Sequence, residues 1–262
     1  MISMLNFFIF LFYVLSAIAI WRLMSSYKKN YTLQIFVWIF WILAIIGHIL
    51  NILPIIHENY SVNLSINYAL IIVGFIISLT LYISSILGNT QYLGIIILPI
   101  ISSIFLLDFS NNPVNVALNN FLFLHVIISL ISYSILCLSA AQSLILILQE
   151  KKLQDNKPIG IIASLPSLDA MDKLLFKILA LGVIFLSASL LSGFIFLEDI
   201  FAQHLIHKTI LSILAWVIFV SLIYGRKKYG WRGRNAANIT LIGFFILFLS
   251  YFGTKIVLEI II

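Results

Sequence analysis

Charge is scarce in this chain: 9% of its 262 residues are charged and 63% are hydrophobic, against about 25% and 45–50% in an ordinary soluble domain. A water-exposed surface cannot be covered from that supply. Cysteine is almost missing as well. Cys137 stands alone inside an apolar run and no C-x-x-C occurs, which excludes a dithiol relay and leaves packing as its role. Catalytic signatures are also absent, with no G-x-S-x-G, Gly-rich phosphate loop, H-E-x-x-H or paired carboxylates inside an apolar run. Asp108, Glu198 and Glu259 lie near the ends of such runs, whereas a coupled carrier wants acidic groups mid-span. The chain is therefore read as a non-enzyme. No repeat, low-complexity stretch or linker divides it, so 1–262 is expected to be a single transmembrane domain.

What the sequence does contain is long apolar runs, each close to the 20 or so residues that cross a hydrocarbon core of about 30 Å. They do not alternate polar and apolar residues as barrel strands would. The first run, Ile2 to Ile20, lacks the basic n-region and small-residue cleavage site of a secretory signal and is read as a retained helix. Further spans are expected at 33–53, 64–87, 92–107, 119–149, 174–198, 208–224 and 236–258. The fold class is all-α, a polytopic membrane helix bundle of about eight transmembrane helices.

Basic residues orient those helices. Arg22, Lys28 and Lys29, then Lys151, Lys152, Lys157 and Lys173, then Arg226 to Arg234, fall in alternate loops. The connections at 54–63, 108–118 and 199–207 hold no Lys or Arg and carry Glu58, Asp108 and Asp199. The positive-inside rule makes the first set cytoplasmic and both termini extracytoplasmic. The net charge of +6 is thereby a topology signal: the lipid bilayer is the partner it needs, and no nucleic acid is called for. In the long loop 150–173, Ser167 caps an expected interfacial helix whose Leu168, Met171 and Leu175 share a face. GRKKYGWRGRN, Gly225 to Asn235, has the aromatic and basic make-up of an interfacial anchor.

The five histidines are the informative residues, since ionisable groups in or beside membrane spans are costly. On this topology His48, His57, His125, His204 and His207 all lie toward the outer side. His48 and His125 sit roughly six residues inside spans two and five, about 9 Å below that surface. Two imidazoles at one depth on different helices are what a bis-histidine haem requires. A structural role, each ring hydrogen-bonding a neighbouring helix, fits the same facts. His125 heads a stripe of small and hydroxylated residues (Ser129, Ser132, Tyr133, Ala140, Ser143) that suits either a cofactor pocket or close helix packing. His204 and His207, beside Glu198 and Asp199, form a weak candidate outer-face metal or haem-edge site.

Several segments carry a resemblance: GWRGR at Gly230 to Arg234, Ala236 and Ala237, SYFGTKIV at Ser250 to Val257, FLHVIISLISYS at Phe123 to Ser134, and LPSLDAMDK at Leu165 to Lys173. Together with Gly47 and His48 they resemble the cytochrome c assembly membrane protein family (CcsA/HemX-like), in its YpjD-like branch. The resemblance implies a bacterial inner membrane protein, multi-pass, that handles or binds haem, with His125 and His48 at positions of family histidines. From their matched depth and these family positions, His48 and His125 are expected to ligate a b-type haem jointly, with His204 or His207 as an exchange ligand, and the resemblance implies cytochrome c maturation or haem-synthesis proteins as partners.

The chain departs from the family's haem-delivery members in one segment. Where those carry a tryptophan-rich WxWDxKE-type run, it reads LEDIFAQHLIHKTILSILAW, keeping Lys208 and Trp216 but with no tryptophan between Gly193 and Lys208. Tryptophans would supply flat apolar faces for a porphyrin. An accessory or regulatory haem-binding role therefore fits better than delivery. The rival reading is a non-haem membrane protein that modulates a transporter or assembly partner. A third, an enzyme on lipid or isoprenoid substrates, lacks the clustered carboxylates that would hold Mg²⁺.

Overall fold

The computed structural model describes residues 4–26, 30–57, 61–63, 66–88, 90–106, 115–117, 120–155, 161–196 and 203–253. Within these, the side chains of 54–57, 61–63, 66, 115–117, 120, 122, 196, 203–207 and 252–253 lie outside the description.

The chain is a polytopic α-helical membrane protein. With no water in the bilayer core, each backbone N–H must find its partner within its own segment, and continuous apolar runs become helices. Seven helices are long and apolar enough to cross: α1 (Met4–Ser25), α2 (Tyr31–His57), α3 (Ile66–Leu87), α5 (Asn120–Gln154), α7 (Leu168–Phe196), α8 (Gln203–Tyr229) and α9 (Gly233–Phe248), the last extended by a π-turn, Leu249–Gly253. Basic residues close α1 (Arg22), α5 (Lys151, Lys152) and α8 (Arg226, Lys227, Lys228), where cations complement the helix dipole.

Two expectations change in detail. The expected span at 92–107 is a shorter helix, α4 (Gly94–Ile104), entered through a 3-10 turn, Gln91–Leu93. Its 11 residues rise about 16 Å. Pro99 removes one N–H from its middle, and Ser102 and Ser103 turn their hydroxyls back to the Pro99 and Ile100 carbonyls. The chain then tightens, Phe105 N–H reaching Ser102 O and Leu106 N–H reaching Ser103 O. The separate interfacial helix expected after Ser167 is instead the first turns of α7. The Asp169–Lys173 pair, 2.6 Å apart at i,i+4, spans the junction, and nothing there breaks the helix. A four-residue helix, α6 (Ile161–Ser164), precedes it.

The contacts divide into two compact units: Met1–Ala117 with Lys151–Ser167, and Leu118–Glu150 with Leu168–Ile262. In the first, α1 buries Ile9, Tyr13 and Ile20, and α2 buries Val37, Trp41, Ala44 and His48, at the three- and four-residue intervals of one helix face. Strands β1 (Ser61–Asn63) and β2 (Asn115–Ala117) pair antiparallel, Val62 opposite Val116. In the second unit the core includes Tyr133, Leu136, Leu179, Leu186, Phe219 and Leu247.

Candidate functional site

His48 lies wholly inside the first unit, 0% exposed. Its Nε2 is 2.9 Å from the Ile71 carbonyl. A carbonyl only accepts, so Nε2 carries the proton, and Nδ1 accepts the Tyr13 hydroxyl at 2.9 Å. The rings of Phe75 and Phe105 stand edge-on to the imidazole, at 5.5 and 4.8 Å. Both nitrogens are therefore engaged. The residue expected as an iron ligand instead ties α1, α2 and α3 together, and to ligate it would have to give up one of those bonds. Trp41, which donates to Ser78 at 3.1 Å, adds a second polar tie from α2 to α3.

In the second unit His125 is only part-buried and lines a pocket formed by α5, α7 and α8. Hydroxyls surround its ring. Ser192 Oγ stands 2.9 Å from the Ser189 carbonyl and 2.8 Å from His125 Nδ1, and the imidazole also engages the Ser189 backbone. Ser129 donates to the His125 carbonyl at 2.7 Å and accepts from Ser189 at 2.6 Å. Imidazole, backbone and hydroxyls are thus fixed across α5 and α7.

The far wall comes from Lys208, Thr209 and Ser212 of α8, which the π-turn backs. Ser250 donates to the Lys208 carbonyl at 2.8 Å and so accepts from Ser212 at 2.7 Å. Tyr251 packs tilted against Tyr133, 5.5 Å between centroids, and the Lys208 ammonium stands 5.1 Å from the Tyr251 ring. A π-turn widens the helix by one residue, a departure often found at functional sites. Here it sets Ser250 against α8 and Tyr251 against Tyr133, behind residues that line the pocket.

The cavity measures about 70 Å³, room for a few waters. Its walls are hydroxyls, one imidazole, one lysine and apolar groups including Leu186, Leu190 and Phe194, with no carboxylate among the lining residues. Phe194 is 51% exposed, so the mouth opens onto an apolar rim. Stretches that carried the sequence resemblance meet here: His125, Ser129 and Tyr133 come from one, Ser250 and Tyr251 from another. The α7 serines, Ser189 and Ser192, were missed. Their signal is the SASLLS run, three hydroxyls crowded into an otherwise apolar span.

A family model described as cytochrome C assembly protein matches residues 5–262. The chain belongs to the cytochrome c assembly family. Within this family it is similar to the inner membrane protein YpjD of Escherichia coli K12, 29% identical over 209 residues that cover 74% of this chain and 76% of that protein. It is also 31% identical over 139 residues to a 28.8 kDa protein of Azospirillum brasilense, covering 52% of this chain and 51% of the other. The cytochrome c biogenesis protein CcsA of Chlamydomonas reinhardtii is 27% identical over 145 residues, covering 54% of this chain and 39% of CcsA. No solved structure matches the chain.

His204 and His207 belong to the first turns of α8, just before Lys208, and their side chains lie outside the described residues, as does that of His57. His48 and His125 fall in different units.

Proposed function

We propose that this protein is an accessory haem-binding member of the cytochrome c assembly family, resident in the bacterial inner membrane. In this reading it holds haem in the second unit without turnover. The observation that carries it is the setting of His125, whose Nδ1 is 2.8 Å from Ser192 Oγ while the residue lines an open pocket; in the proposed state Nδ1–H is given to Ser192 and Nε2 is the ligating atom. A metal-ligating histidine characteristically donates its other ring N–H in this way.

The remaining groups suit the same ligand. Lys208 offers a cation to carboxylates, and Leu186, Leu190 and Phe194 offer apolar surface to a ring. The cavity is too small to enclose a macrocycle, so His125, Lys208 and the apolar groups at the mouth would hold it at the rim. Among the described residues no three His, Cys, Asp or Glu gather; haem asks the protein for only one or two ligands. Haem, when bound, would supply a redox-active iron, and the protein's part is to orient the imidazole and neutralise the carboxylates. With a single cysteine the chain cannot form C-x-x-C-H thioethers, and the proposed haem is b-type, held without covalent attachment. His204 and His207 are the candidates for a second or exchange ligand. Cytochrome c maturation or haem-synthesis proteins are the proposed partners.

One observation favours a second reading, a non-haem protein that modulates a transporter or assembly partner: no tryptophan lies between Gly193 and Lys208. Optical spectra of detergent-purified protein, as isolated and after haem reconstitution, separate the two. A Soret band with sharp reduced α and β bands, lost in His125→Ala, supports the haem reading. No band after reconstitution sinks it.

A further inference from the structure

The end of the second unit remote from the pocket carries a different kind of site. Asp172 and Ser192 are 20 residues apart on α7, about 30 Å along the helix, which is one hydrocarbon thickness. At the Asp172 end, α8 stops at Tyr229 and α9 starts at Gly233. Gly230 (φ 69°) and Gly233 (φ 64°) make the turn between them, a conformation glycine adopts without steric cost.

Asp172 fixes that turn. One carboxylate oxygen pairs with Arg226 at 2.7 Å, and the other accepts the Gly233 N–H at 2.8 Å. Arg226 in turn donates to the Trp231 carbonyl at 3.1 Å, and its guanidinium lies over Phe176, 4.6 Å from the ring centre. Trp231 lies over Gly225, where any Cβ would strike its ring.

The fixed turn leaves its cations in excess. Asp172 is engaged by Arg226, and Asp169 by Lys173 with Arg232 also acting on it. Glu150 lies close to Gly233, and Lys227, Lys228, Arg232 and Arg234 are all four exposed. Lys228 lies over the rings of Tyr224 and Tyr229, at 5.5 and 5.6 Å. Tyr229 and Trp231 stack at 6.2 Å and stay 63% and 41% exposed. Exposed amphipathic rings at the ends of two spans mark headgroup level. Four cations at that depth, beside those rings, complement a phosphate that sits on acyl chains.

We infer that the Lys227–Arg234 turn is a binding site for the phosphate headgroup of an anionic phospholipid. The aromatic rings favour this over an acidic protein, since they would rest against the glycerol and upper acyl region while the cations meet the phosphate.

The test uses the detergent-purified full chain, titrated with short-chain phosphatidylglycerol or phosphatidylcholine and followed by native mass spectrometry. The expected result is tighter binding of phosphatidylglycerol by about tenfold or more. That preference should vanish in Lys227→Gln/Lys228→Gln/Arg232→Gln/Arg234→Gln and survive in Lys173→Gln/Lys177→Gln. All six side chains are exposed, so folding is retained, which an unchanged thermal midpoint would verify. Equal binding of the two lipids by the wild type, or a preference that survives the fourfold change, overturns the site. Competition by inorganic phosphate or polyglutamate as effective as by the lipid overturns the assignment to a headgroup.

Discussion

Ser192 Oγ lies between the Nδ1 of His125, at 2.8 Å, and the Ser189 carbonyl, at 2.9 Å. The serine therefore orients the imidazole through Nδ1. Ser192→Ala removes the acceptor but not the ring. If His125 is the iron ligand, haem affinity should fall about 10–100-fold, the usual cost of losing an outer-shell partner, with the helical signal unchanged. His125→Ala should abolish the Soret band entirely. Titration of haem into both variants measures this, and wild-type affinity in Ser192→Ala would remove the orienting role.

His48 predicts the opposite pattern. Its removal opens a hole between Phe75 and Phe105 and takes one partner from the Tyr13 hydroxyl, so His48→Ala should cost about 2–4 kcal/mol. Tyr13→Phe keeps the packing and should cost about 1 kcal/mol. Denaturant unfolding in detergent gives both numbers. Haem spectra of the folded variants should match the wild type, and loss of the Soret band in a folded His48→Ala protein would return His48 to the ligand set.

Asp172→Asn leaves Arg226 without its counter-charge. Breaking a buried pair costs about 3–5 kcal/mol. Arg226 is 26% exposed on its side chain, so solvent screening lowers the expectation to about 1–3 kcal/mol. Thermal unfolding checks the magnitude, and a change in Trp231 emission should accompany it as the 230–232 turn loosens.

Gly182 sits where α7 passes α5. A Cβ there would come within 2.6 Å of Leu136 Cδ2 and 2.8 Å of its Cγ, and Leu136 is fully buried. Gly182→Ala should destabilise by about 1–3 kcal/mol through overpacking. The double variant Gly182→Ala/Leu136→Ala should recover part of that loss, and no recovery would place the strain elsewhere.

Composition and run length were enough to read the helices, because in a bilayer an apolar run of the right length has few alternatives. They failed at 92–107, where hydrophobicity continued but Pro99 and two back-bonding serines shortened the helix. The LPSLDAMDK segment was read too finely. Its first turns merge with α7, since Asp169 and Lys173 are compatible with a helix that runs straight on. His125 and its hydroxyl stripe were visible as a candidate because they share one helix and one period. The meaning of His48 was hidden: its partners Tyr13 and Ile71 lie 35 and 23 residues away, and only their approach distinguishes a satisfied ring from a vacant one. Ser189, Ser192 and Ser250 were obscure for the same reason, each acting through a partner on another helix.

The two units are interleaved along the chain. After Ala117 the polypeptide leaves the first unit, returns to it at Lys151, and leaves again after Ser167. During synthesis the first unit thus waits for its last piece until all of α5 up to Glu150 has emerged. Neither unit corresponds to one continuous stretch of gene, so no single truncation point yields either of them whole and free of the other. A fragment ending at Ala117 lacks α6, and one beginning at Leu168 lacks His125 and with it the only described imidazole of the pocket.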